Sequence, residues 1–342
     1  MHSYHFSTMT PKLSVIIPSR NEERYIAQCL NSLLEMTYPK ESVEILVVDG
    51  MSEDATRHIV TGYCDKYPFI HLLDNPKKIT PTALNTGITA SSGEFIIILS
   101  AHADYPKEYC LRLVEEAIRL DAGCVGGVMR TKSSKTDATS QSIINVLSDR
   151  LGTASQFRSG ADKIMEVDTV AFGCYPRDIF NRFGLFDEYL VRNQDIEFNK
   201  RIVRGGGKIY LIPSVECSYY ARETYRELAT NNFLNGYWNI LTPFYAGSLR
   251  SLSLRHFIPL SFMLSLFIPL FLSVLDFHFL WISVGLLFFY LSIISVRSYK
   301  IKKNTTWLHQ IAAFIVLHFS YGIGGIKGII ALIKKILFRD TQ

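Results

Sequence analysis

The chain reads as an α/β protein built on a mostly parallel sheet and followed by C-terminal helices for a membrane or its interface. Three observations support this reading. Two apolar strands, residues 13–18 and 44–48, run straight into polar and charged residues. Runs of β-branched residues then alternate with longer amphipathic stretches, which is the pattern of βαβ units. From residue 257 the chain turns apolar for lengths that suit a bilayer.

The elements follow in order. After the first strand, residues 22–36 place Ile26, Cys29, Leu30, Leu33 and Leu34 at helical spacing, and Thr37-Tyr38-Pro39 ends the helix. After the second strand, Ser52-Glu53-Asp54 is a helix-start signal leading into residues 55–66. A short strand at 70–73 stops at Asn75-Pro76. A helix then opens at Thr80-Pro81 and closes at Ser91-Ser92-Gly93. Residues 94–99 form the most strand-like run in the chain. Residues 131–162, rich in Ser, Thr and Lys, read as surface loop over the site with a helical insert at 142–151. A strand is expected at 167–173, a short helix at 178–183, and a helix at 195–203 capped by Gly205-Gly206-Gly207. That glycine run follows a helix and opens none, so it reads as a C-cap and not as a phosphate loop.

Composition narrows the function. A net charge of +5 is modest, suited to an anionic lipid surface or substrate, and it argues against a nucleic-acid partner. The six cysteines, Cys29, Cys64, Cys110, Cys124, Cys174 and Cys217, form no CxxC pair, which points to a reducing compartment without a zinc site or disulfide framework. No apolar signal core occupies the first ten residues, so the N-terminal domain is expected to fold in the cytosol. Residues 257–275 and 277–296 read as two membrane helices. Arg250 and Arg255 precede them, and Arg297, Lys300, Lys302 and Lys303 follow, which puts both flanks in the cytoplasm. Residues 311–333 are apolar but carry Gly322, Gly324, Gly325, Gly328 and Lys327, and end at Lys334, Lys335 and Arg339. A re-entrant or interfacial segment broken at the glycines is the preferred reading, with a third span as the alternative.

Three motifs, Val15-Ile16-Ile17-Pro18-Ser19-Arg20-Asn21-Glu22, Val47-Val48-Asp49-Gly50-Met51-Ser52-Glu53-Asp54 and Ala83-Leu84-Asn85-Thr86-Gly87, fall in an order and spacing that resembles family 2 glycosyltransferases. Ala101-His102-Ala103 and Arg192-Asn193-Gln194-Asp195 look like the membrane-anchored transferases of exopolysaccharide assembly, the succinoglycan type in particular. The resemblance implies a GT-A fold over residues 11–222, after a tail at 1–10 and before an amphipathic interfacial connection at 223–256 and a membrane domain at 257–342. It implies a nucleotide-sugar donor, UDP-sugars foremost, and a lipid-linked saccharide acceptor at the cytoplasmic membrane, with the catalytic domain in the cytosol.

By the same resemblance, Asp49 holds the nucleotide base, whose N–H a carboxylate accepts, and Pro18 and Arg20 lie beneath it. Asn85 and Ser100 fall on the donor side. Asp54 and Glu22 are donor contacts or helix-start electrostatics, both readings standing. The family's Asp-x-Asp is altered here to Ser100-Ala101-His102-Ala103-Asp104. Three outcomes follow: His102 and Asp104 hold a divalent cation, Mn²⁺ or Mg²⁺; basic residues such as Lys77, Lys78 or Arg158 replace it; or the protein only binds. Asp195 matches the family's general base, with Gln194 in place of the usual Glu. Gly173, Arg192 and Asn193 accompany it on the acceptor side. Because Gln-x-x-Arg-Trp is missing from residues 224–242, addition of one sugar per acceptor is expected, by inversion. A polyprenyl-phosphate sugar synthase is the alternative within the class.

Overall fold

The computed structural model describes residues 10–153 and 155–338; the N-terminal tail up to residue 9 and the basic residue Arg339 lie outside the described residues. The chain divides into two compact units: one runs to Arg130 and resumes over Gly160–Tyr219, and the other joins Thr131–Ser159 to the chain from Tyr220 onward.

The first unit begins β1 (Leu13–Ser19), α1 (Ile26–Leu34), β2 (Val43–Asp49), α2 (Thr56–Cys64), β3 (Ile70–Asp74), α3 (Thr80–Ala90), β4 (Phe95–Ile98), β5 (Ala103–Asp104), α4 (Tyr109–Arg119) and β6 (Cys124–Lys132). An insert carries α5 (Ala138–Ser148) and α6 (Gln156–Ser159). The first unit then resumes with β7 (Met165–Glu166), β8 (Cys174–Pro176), α7 (Asp178–Phe183), α8 (Gln194–Arg204) and β9 (Ile209–Tyr220). The sheet order is β3-β2-β1-β4-β8-β6-β9-β5, with β7 paired to β9. Strands β3, β2, β1 and β4 are parallel. β8 is antiparallel to β4 and to β6, and β9 is antiparallel to β5 and β7, so the sheet is mixed and its parallel half is the N-terminal half. Val15, Ile16, Ile17, Ile45, Val47, Ile96 and Ile97 are 0 % exposed, which accounts for the unbroken apolar runs: a strand covered on both faces has no solvent side to alternate with. In register, Ser19 lies beside Asp49, and Asp49 beside Asp74, so the carboxyl ends of three strands form one line.

Two local expectations are corrected. The first helix starts at Ile26 instead of residue 22, because Asn21 takes a left-handed conformation (φ 54°) and the following N–H groups are tied elsewhere. Asn21 N, Glu22 N and Glu23 N donate to Ser52 Oγ, Thr56 Oγ1 and Asp54 Oδ2 at 2.8, 2.8 and 3.1 Å. Residues 167–173 are an irregular loop, not a strand, with Phe172 at a positive φ of 52°.

The second unit is helical: α9 (Tyr225–Tyr245), α10 (Ile258–Leu272), α11 (His278–Ile301) and α12 (Trp307–Leu337). Among the described residues three helical stretches, Leu254–Leu272, His278–Ile301 and Trp307–Leu337, are long and apolar enough to cross a membrane. Of residues 131–162, expected as surface loop with a helical insert at 142–151, the stretch Thr131–Ser159 is built into this unit, and its helix α5 falls a few residues earlier than expected. Ile143 and Val146 of α5 are 0 % exposed and share a core with Leu228, Ala313, Phe314 and Leu317. Asp149 pairs with Arg297, and the Ser134 backbone N–H donates to the buried Glu223 at 3.0 Å. The expected break in residues 311–333 is not there: α12 runs unbroken through Gly322, Gly324, Gly325 and Gly328. The glycines serve packing instead. A Cβ on Gly324 would stand 2.0 Å from Phe233 O, and one on Gly236 1.9 Å from Tyr321 O, so the backbones of α9 and α12 are in contact. Tyr225 bonds His309 O at the start, and Lys335 bonds Tyr245 at the far end, so the two helices run parallel over their shared length.

Candidate active site

The carboxyl edge of the parallel half carries the first group of side chains. Asp49, last residue of β2, is 0 % exposed. Its Oδ2 accepts from Ser52 N at 2.9 Å and from Arg57 Nη1 at 2.8 Å, and its Oδ1 accepts from Ser52 Oγ at 2.5 Å. Arg57 also reaches Asp74 Oδ1 at 2.8 Å, so one guanidinium bridges the ends of β2 and β3. Those bonds raise the Arg57 pKa. Sequence reasoning missed Arg57, although its place on the first turn of α2 after a strand-end acid is the available signal. We expect Arg57→Gln to destabilise the protein by about 1–3 kcal/mol, because a buried carboxylate loses its cation while the arginine itself is partly solvated. A melting temperature equal to wild type would show that Asp49 does not need the pair.

Asp54 accepts from Glu23 N and, at 3.0 Å, from Thr56 N, so in this structure it clasps two loops and starts α2. Asn85 is buried and its amide holds Phe186 from both sides, donating to its O at 2.9 Å and accepting from its N at 3.0 Å. It also reaches Glu188 at 3.3 Å, and Glu188 pairs with Lys77 at 2.6 Å. Pro18 is half-buried beside Val48, and Arg20 is exposed with its side chain packed against Gly50.

The second group surrounds the altered metal motif. The Ser100 N–H and O both engage Tyr105 Oη, at 2.8 and 3.2 Å. His102 is held at both ring nitrogens: Nδ1 faces Glu22 Oε1 at 3.1 Å and Nε2 faces Tyr219 Oη at 3.0 Å. Burial opposes charge on the imidazole, but Tyr219 and the Glu22 carboxylate outweigh it and the pKa rises to about 9. An imidazolium with both N–H groups donated has no lone pair for a cation. Asp104 Oδ2 accepts from Gln28 Nε2 at 2.5 Å. Among the described residues no three His, Cys, Asp or Glu side chains gather as a metal site. His102 and Asp104 therefore do not fit a cation pair as arranged; a cation would need one imidazole nitrogen released from Glu22 or from Tyr219. The unexpected members are Glu22 as a partner of His102, and Tyr219, which β5–β9 pairing brings opposite Ala103.

The third group lies at the start of α8. Asn193, in the left-handed region at φ 62°, precedes the helix, Gln194 is its first residue and Asp195 its second. Asp195 is open to solvent, yet burial in its surroundings raises its carboxyl pKa, against the lowering effect of the Ile196 N–H and its own. Beneath the helix, Tyr175 Oη donates to Asn199 Oδ1 at 3.1 Å and Asn199 Nδ2 to Thr169 Oγ1 at 2.9 Å, a fully buried chain that fixes this end of the helix. Arg192 is half-buried. Gly173 has a packing reason: a Cβ there would meet Cys124 Sγ at 2.7 Å and the Tyr175 ring at 2.8 Å. Next to it, Phe172 is a bulky residue at positive φ, a conformation that costs about 1–3 kcal/mol.

A parallel half-sheet with a polar carboxyl edge, joined to an antiparallel half, is the arrangement of the GT-A glycosyltransferase fold that solved structures share with this chain. The chain belongs to glycosyl transferase family 2, whose model matches residues 14–189. It is 33 % identical, over 69 % of this chain and 78 % of the relative, to the dolichyl N-acetyl-α-D-glucosaminyl phosphate 3-β-D-2,3-diacetamido-2,3-dideoxy-β-D-glucuronosyltransferase of Methanococcus voltae. It is 27 % identical to the succinoglycan biosynthesis protein ExoA of Rhizobium meliloti, over 61 % of this chain and 63 % of that protein. Among solved structures, a mannosyltransferase from Pyrobaculum calidifontis, in complex with GDP-Man and Mn²⁺, shares the fold at TM-score 0.59 and 17 % identity, covering 94 % of this chain and 88 % of that one. S. aureus TarS 1–349 with UDP-GlcNAc does so at TM-score 0.52 and 16 % identity, covering 92 % and 91 %.

Proposed function

We propose that this glycosyltransferase works by inversion at the cytoplasmic face of the membrane, moving one sugar from a nucleotide donor, UDP-sugars foremost, to a polyprenyl-diphosphate-linked saccharide. The observation that carries the reading is Asp195: a solvent-reachable carboxylate of raised pKa on the first turn of α8, in the same unit as the polar edge of the parallel strands. Asp195 takes the proton from the acceptor hydroxyl, the oxygen attacks the anomeric carbon, and the nucleoside diphosphate leaves from the opposite face. The relative named for a dolichyl N-acetylglucosaminyl phosphate favours a lipid-linked acceptor, and the one named for succinoglycan biosynthesis favours polysaccharide assembly. Incubating the detergent-solubilised full chain with UDP-glucose or UDP-N-acetylglucosamine and a polyprenyl-diphosphate-linked saccharide tests it by product mass. A gain of one sugar supports the reading. Sugar on a bare polyprenyl phosphate would replace it with a synthase, and binding without turnover of any acceptor would remove the enzymatic mechanism.

In the same reading α10 and α11 enter the bilayer as a hairpin, while α9 and α12 lie along its face. α12, at about 1.5 Å per residue, would be longer than a bilayer core is thick. Its parallel companion α9 carries Arg226, Asn231, Asn232, Asn235 and Asn239, which are costly in hydrocarbon. A reporter fused after Gln342 is expected to be cytoplasmic; an external signal would make α12 a true span.

A further inference from the structure

Phe172 does not fit an ordinary structural role. It is only partly buried and lies in an irregular loop, yet its neighbours hold it in a strained left-handed backbone. Its ring lies 6.1 Å from Tyr219, with planes inclined at 35°, and 5.9 Å edge-on from Tyr105. Tyr219, also partly buried, packs at 4.9 Å against His102, whose far nitrogen carries Glu22. Two partly open aromatic rings thus adjoin a carboxylate, an imidazole and a phenol hydroxyl. In sequence Phe172 also leads through Gly173 into Tyr175, which stands on the buried chain below α8.

We infer that Phe172 and Tyr219 form a stacking platform for a pyranose ring, with the Glu22 carboxylate and the Tyr219 hydroxyl, both oriented by His102, as the polar rim that meets its hydroxyls. A sugar has the complementary chemistry: C–H groups on one face that sit against an aromatic ring, and hydroxyls around its edge that need donors and acceptors. A nucleotide base also has ring faces and polar edge groups, so UDP affinity is the arm that separates it from a sugar, whereas a lipid chain would cover the rim without offering it any hydrogen bond. Strain at Phe172 belongs with such a use, since a bulky residue held at positive φ persists where position matters more than local comfort. The inference deepens the proposed function by naming side chains that hold a sugar; the donor's sugar and the acceptor's terminal sugar share this chemistry.

The test separates these two sources. UDP and UDP-N-acetylglucosamine are titrated into the detergent-solubilised full chain by calorimetry. Methyl β-N-acetylglucosaminide is then added to the UDP-loaded protein and followed by saturation-transfer NMR. The variants are Phe172→Leu, which keeps apolar bulk without the ring, Phe172→Gly, which accepts the left-handed backbone without strain, and Tyr219→Leu. UDP affinity unchanged with an approximately tenfold loss of the extra affinity of UDP-N-acetylglucosamine assigns the platform to the donor sugar. Loss of saturation transfer to the methyl glycoside assigns it to the acceptor. If all three variants keep both signals, or if wild type shows neither while still binding UDP, the platform is refuted although the transferase reading stands. A fall in UDP affinity equal to the fall for UDP-N-acetylglucosamine also refutes it, because the rings would then only support the nucleotide site.

Discussion

Asp195→Asn is expected to lower the rate of sugar transfer by roughly 10²–10⁴-fold while nucleotide affinity stays near wild type, the usual span for loss of a general base. The amide keeps the size of the side chain and its place on the first turn of α8, so any loss reports the missing proton acceptor. Two pH signatures accompany it. A base works ionised, and burial raises the pKa of this carboxyl, so the rate should climb with pH along a limb lying above the ordinary carboxylate range. The same burial makes the charge unfavourable to the fold. A group whose folded pKa is raised this way costs stability above that pKa, and the cost disappears as pH falls below the unfolded value near 4. Asp195→Asn should therefore melt above wild type at neutral pH, with the difference closing in acid. A variant within tenfold of wild-type rate, or one that melts lower at neutral pH, would assign Asp195 to capping the helix.

The parts of this molecule that were legible in the sequence are those where neighbouring residues settle the outcome. β1 and β2 announce themselves because fully buried parallel strands need continuous apolar runs, and the polar residues that follow mark the carboxyl edge. α8 and the glycine turn after it are equally local. Pairings between distant residues are not written in any window. Glu22 and Tyr219 meet His102 across 80 and 117 positions, and only the β5–β9 register brings Tyr219 there. Composition misled in two places. The polar insert at 131–159 contributes few apolar residues, yet Ile143 and Val146 suffice to seat α5 in the helical unit. The glycines of α12 have the low helix propensity that argues for a break, and tertiary contact overrides it.

Gly324→Val is expected to disrupt the second unit severely, as is its counterpart Gly236→Val on the facing helix. The Cβ alone would sit 2.0 Å from Phe233 O and 2.8 Å from its carbonyl carbon, well inside contact distance. A side-chain tip could rotate away, but here the obstacle is the backbone of α9, so relief requires the two helices to separate. Gly236 faces Tyr321 O in the same way from the other helix, at 1.9 Å, and Gly328 faces Tyr237 O at 2.7 Å. Small residues on facing turns allow helix backbones to touch, and dispersion contact along the line then replaces what a side chain would give. Overpacking typically costs about 1–3 kcal/mol and more when the backbone must move, so Gly324→Val should fall at or beyond the top of that range. Its intrinsic helix propensity runs the other way, since valine favours a helix slightly more than glycine does. The measurement is the melting temperature and monodispersity of the solubilised chain, with Gly285→Val as control, because a Cβ at Gly285 meets nothing within 4 Å. If Gly324→Val melted no lower than Gly285→Val, α9 and α12 would not be in backbone contact, and the parallel pair on which the interfacial placement of α12 rests would be lost with it.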